Sequence, residues 1–122
     1  MALSTKTLTT RFGTKFAKET DSDNTKSVVA TSASTLYSVE INNAANTANS
    51  FVKLYDNVTG SVTVGTTDPD VILKAQASTK VTYQFDQGIA FGTGVILACL
   101  TTAGTAGTTG PTSDVAVKLV YD

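Results

Sequence analysis

The feature that most constrains this chain is a repeated pattern of short segments. In each, Val, Leu, Ile, Tyr or Phe alternates with polar side chains before Gly, Asn, Asp or Pro cuts the segment off. Alternation with a period of two puts one set of side chains on each face of an extended strand, whereas a helix needs apolar residues every three or four positions. Leu36 to Asn42 sets Tyr37, Val39 and Ile41 against Ser38 and Glu40, and Phe51 to Asp56 interleaves Val52 and Leu54 with Phe51, Lys53 and Tyr55. Val71, Leu73 and Ala75 share a face, as do Val81, Tyr83 and Phe85 in the segment Thr79 to Asp86. Val115, Val117, Leu119 and Tyr121 do the same in the last segment. Val95 to Leu100 is apolar at every position, which predicts a central strand covered on both faces. With Val28-Val29-Ala30 and a possible short strand at Val62–Val64, the count is seven or eight strands and no required helix. The expected fold is all-β, an antiparallel β-sandwich of jelly-roll type, with a barrel as the alternative. Gln87-Gly88 reads as a turn after the Thr79–Asp86 strand.

Composition agrees with this reading. Only 16% of residues are charged, and Thr, Ser, Gly, Ala and Val take their place. β-Branched side chains lose χ1 freedom in a helix and sit well on a pleated surface. The 122 residues fit one domain, divided here into an N-terminal arm, residues 1–26, and a sandwich, residues 27–122. The arm is rich in Thr and Lys and carries at most one short strand, closed by the turn cluster Asp21-Ser22-Asp23-Asn24. Residues 1–18 hold Lys6, Arg11, Lys15 and Lys18 without an acid, while the remainder holds five bases and all ten acids. A basic leader with Phe12 and Phe16 between its cations is suited to an oppositely charged protein surface. The candidate contact residues are therefore Lys6, Arg11, Phe12, Lys15, Phe16 and Lys18.

The residue inventory argues against catalysis. Histidine is absent, which removes the commonest general base and transition-metal ligand. One cysteine, Cys99, supplies neither a disulfide nor a zinc set, and its apolar strand marks it as core. The Gly-rich stretch Ala103 to Gly110 lacks the Lys and the helix of a phosphate loop. Glu40, Asp56, Asp68, Asp70 and Asp86 could form a glycosidase pair, but the chain has no Trp on which a sugar would stack. The expectation is no enzyme, no cofactor and no metal. A net charge of −1 gives no general attraction to nucleic acid or anionic lipid, and no apolar run is long enough to span a bilayer. Met1 to Lys6 lacks the apolar stretch of a signal peptide, so synthesis in a cytoplasm is expected. Two loops, Gly65-Thr66-Thr67-Asp68-Pro69 and Gly107-Thr108-Thr109-Gly110-Pro111, repeat the pattern Gly-Thr-Thr-x-Pro. Each delivers the chain towards an apolar strand. They could lie together at one end of the sandwich as a contact surface.

Leu36 to Asn43, Phe51 to Asn57, Gly65 to Asp70, Gly88 to Gly94 and Thr101 to Thr109 together resemble segments of small virion proteins of tailed bacteriophages, particularly those infecting marine bacteria and cyanobacteria. The resemblance spans roughly residues 36–121 and leaves the basic leader uncovered. It implies a virion structural protein, first of all a capsid decoration (cement) protein. Such a protein would be made in the host cytoplasm, bind the major capsid protein on the capsid surface and associate with itself as a trimer or dimer. Alternatives are a phage tail, fibre or baseplate component, and a carbohydrate-binding β-sandwich module.

Overall fold

The computed structural model describes residues 15–122. Among these residues eight strands form, β1 (Lys15–Ser22), β2 (Ser27–Ala30), β3 (Ser34–Asn42), β4 (Ser50–Tyr55), β5 (Val71–Ala75), β6 (Lys80–Phe91), β7 (Val95–Leu100) and β8 (Val115–Tyr121). They make two four-stranded sheets, in the orders β1-β8-β3-β6 and β2-β7-β4-β5. Every strand pairing is antiparallel. The pairs β1–β8, β2–β7, β3–β6 and β4–β5 nest inside one another, as if one long hairpin had been rolled up with β4–β5 at its tip. That is the jelly roll.

The alternating positions meet between the sheets. Val39 and Ile41 of β3, Val52 and Leu54 of β4, Leu97 and Cys99 of β7, and Val117 and Leu119 of β8 are all buried in one core. Each fully buried aliphatic side chain contributes about 1.5–3 kcal/mol through removal of apolar surface from water. As its sequence predicts, β7 is covered on both sides. Val95, Leu97 and Cys99 face the main core, whereas Ile96 and Ala98 join Tyr55 and Val62 in a second cluster on the outer face of the second sheet.

The one short strand allowed for residues 1–26 forms at Lys15–Ser22 as β1, and it pairs with β8 from Lys15↔Tyr121 to Ser22↔Val115. Two local expectations change. Val62–Val64 is not a strand. A 3-10 turn at Thr59–Ser61 instead folds the segment back, so that Val62 is buried against the second sheet. Gln87-Gly88 does not end its strand, because β6 runs on to Phe91 with a bulge. Leu36 pairs with Ile89 and Ser38 with Gln84, so Tyr37 alone stands opposite four residues of β6. The bulge also shifts the alternation of β3, leaving Leu36 and Val39 both inward and Tyr37 half-buried.

One end of the sandwich is closed by asparagines. Asn43, fully buried, donates to the carbonyls of Ala48, Ala75 and Gln76 and accepts from the Ser50 hydroxyl at 2.8 Å. Asn46 exchanges two bonds with Ser113, tying the β3–β4 loop to the β7–β8 loop.

Candidate protein-docking face

The two outer faces of the sandwich differ. On the second sheet, β4 places Lys53 and Tyr55 outward, since Val52 and Leu54 face the core, yet both outward side chains are fully covered. The β4–β5 and β7–β8 loops form the cover. The Lys53 ammonium donates to the Gly104 carbonyl, and burial holds its pKa below the usual 10.5. Lys26, from the β1–β2 loop, donates to the carbonyls of Thr59 (2.6 Å) and Val62 and pins the 3-10 turn. The two Gly-Thr-Thr loops pack on each other here. A Cβ on Gly65 would lie 2.4 Å from the Thr108 methyl, and the Thr105 hydroxyl donates to Asp68 at 2.5 Å. The two loops that carry the repeated motif thus meet beside the covered middle of the second sheet.

Among the described residues, no loop covers the outer face of the first sheet. Strand register lays its side chains in rows. Phe16, Val120, Ser38 and Gln84 form one row across β1-β8-β3-β6, and Lys18, Lys118, Glu40 and Thr82 form the next. Ala116, Asn42 and Lys80 continue the pattern on β8-β3-β6. Phe16 is 62% exposed and is the most exposed large apolar residue among those described. Glu40 lies 3.6 Å from Lys80 and 3.9 Å from Lys118, while Lys18 sits opposite Lys118. Three lysines against one glutamate leave these rows with a formal surplus of two positive charges. The face is weakly cationic. Its short Ser, Thr and Ala side chains have little rotamer freedom to lose on docking.

Of the sequence-predicted contact residues, Phe16 and Lys18 lie on this face beside Val120 and Lys118. Lys15 points the other way, with its ammonium 6.0 Å from the centre of the Tyr121 ring. Lys6, Arg11 and Phe12 lie outside the described residues. Sequence reasoning missed Lys118, Glu40 and Lys80, whose outward positions in their strands were the available signal.

Elsewhere, a shallow groove of about 370 Å³ runs between the edges of β5 and β6, lined by Lys74, Gln76, Thr79, Lys80, Val81 and Tyr83. The Tyr83 hydroxyl donates to the Lys74 carbonyl at 2.6 Å and ties the two sheets together there. At the end of β1, a hydrogen bond shared with Asp114 and the repulsion of its charge raise the Asp21 pKa. No cluster of three or more His, Cys, Asp or Glu able to hold a metal ion occurs among the described residues. Cys99 is fully buried, and burial pushes its thiol up to about 12, so it stays protonated and acts as a small hydrophobe. Comparison of the sequence with protein-family models and with curated proteins finds no match.

Proposed function

We propose that this protein is a structural component of a phage particle, a capsid decoration protein that lies on the major capsid protein lattice through the open face of its first sheet. The observation that carries the reading is the asymmetry of the sandwich. The middle of one outer face, at Lys53 and Tyr55, is covered by the protein's own loops, with Val28 and Ile72 exposed towards its margins, while the other presents Phe16, Val120 and three lysines in rows across the sheet. A four-stranded sheet face of this kind suits a broad surface better than a small molecule, and its charge surplus favours an acidic partner. Jelly rolls recur in viral capsid domains, which adds support by analogy of fold. The resemblance of residues 36–121 to phage virion proteins points the same way. Many copies on a symmetric lattice hold by avidity, so each contact can be weak.

The test is to look for the protein in purified phage particles and to count it against the major capsid protein on a stained gel. A copy number comparable to that of the capsid protein supports decoration. A small multiple of the tail symmetry moves the protein to the tail, and absence from the particle ends the reading. Deleting residues 1–14, a cut that stops short of β1, is expected to weaken capsid binding while the sandwich stays folded. Undiminished decoration by the truncated chain would remove the arm from the interface.

A further inference from the structure

Among the described residues the first sheet ends at β1, and no strand pairs with its outer edge. From Lys15 to Glu19 this edge is regular, its partners on β8 running without interruption from Tyr121 to Val117. It contains no Pro, and Phe16 stands 62% exposed upon it. An exposed edge presents unpaired N–H and C=O groups and is a template for another strand, and the charges on it, here Lys15, Lys18 and Glu19, restrict which strand can pair.

We infer that two copies of the chain join edge to edge through β1, antiparallel about Ala17, so that their first sheets become one continuous sheet. The partner is chosen by the side chains. A two-fold axis normal to the sheet keeps outward residues outward, so the positions it pairs must share parity. Centred on Ala17, it sets Lys15 opposite Glu19 of the second copy, and Phe16 opposite Lys18, each twice by symmetry. Lys15 and Glu19 are opposite charges on the inward side, and Phe16 and Lys18 form a cation–aromatic pair on the open side. The neighbouring same-parity centres serve less well. An axis on Phe16 brings the two rings together but sets Lys15 opposite Ala17, with no charge partner; an axis on Lys18 puts that ammonium against its own copy, and an axis on Glu19 does the same for a carboxylate. The Glu19 carboxylate is held in place by the Ser27 hydroxyl at 2.9 Å and its own chain's Asp21 N–H at 3.1 Å, so it is already oriented at the edge.

This inference goes beyond the capsid reading and does not depend on it, because the pairing belongs to the isolated protein. The test is sedimentation equilibrium of the full chain at low salt over a concentration series, with Lys15→Glu, Glu19→Lys and an equimolar mixture of the two. Wild type is expected to dimerise. Each single variant places like charges opposite each other twice and should weaken the dimer about tenfold or more. In the mixture each pair becomes Lys against Glu again, so a mixed dimer should form with near wild-type affinity. Circular dichroism confirms that both variants are folded. A monomeric wild type, or a mixture that associates no better than either variant alone, would overturn the proposal. Particle binding plays no part in these measurements, so failure here and failure of the capsid reading are distinguishable.

Discussion

Tyr55 has the largest of the fully buried side chains, and its hydroxyl finds no hydrogen-bond partner among the described residues. A buried hydroxyl that has left water without a new partner costs free energy, and burial also raises the pKa of this phenol above 10.0. Tyr55→Phe is therefore expected to raise stability by about 1 kcal/mol, seen as a higher midpoint in thermal unfolding. A lower midpoint would show that the hydroxyl has a partner. The next residue works in the opposite sense. The Asp56 carboxylate accepts the backbone N–H groups of Gly92 (2.9 Å), Thr93 (2.8 Å) and Gly94 (3.3 Å), and so holds the β6–β7 turn. Burial pushes its pKa up, but the three donors together outweigh burial and leave it below 3.8. A depressed carboxylate contributes stability that is present above the unfolded value and lost as pH falls through the folded one. Asp56→Ala should cost about 1–2 kcal/mol near neutral pH. In urea titrations, the gap between variant and wild type should narrow as pH drops below 3.8. A gap that stays constant down to the lowest pH would mean that the carboxylate charge plays no part.

At the scale of elements, the bulge in β6 rests on Gly88. Its φ of +75° lies in the left-handed region, and a Cβ there would stand 2.3 Å from the Thr35 methyl and 3.1 Å from the Tyr37 ring. Gly88→Ala should cost about 1–3 kcal/mol from backbone strain alone, with the clash added. In denaturant titrations, Thr35→Ser in the Gly88→Ala background should recover the clash and leave the strain. No recovery would place the whole cost in the backbone. The same glycine shows where local reading stops. Gln87-Gly88 carries the chemistry of a turn, and the same chemistry serves a bulge, so only the pairing partner decides between them. Alternation did reveal the long strands, because Val39, Ile41, Val52, Leu54, Val117 and Leu119 alternate cleanly and all enter the core. It failed at Val62 and Lys53. The first is buried in a turn and the second under a loop, where period carries no information.

For the whole molecule, the sandwich was legible and the neighbourhood of each strand was not. Nothing local in Val115–Tyr121 says that it lies between β1 and β3, yet that placement puts Lys118 beside both Lys18 and Glu40 and so builds the open face. Phe16 and Lys18 could be singled out early because basic and aromatic residues cluster before the first acid. Their partners could not be named until distant strands were aligned. The same placement governs how the molecule is made. Two strands that leave the ribosome early, β1 and β3, both wait for β8, so the first sheet cannot close until residues 115–121 have emerged. Until then the nascent chain carries sticky, half-matched ribbons. Folding of such distant pairings runs at roughly milliseconds to seconds. This makes the interval before the last strand arrives the period in which chains of this kind are most exposed to tangling with one another.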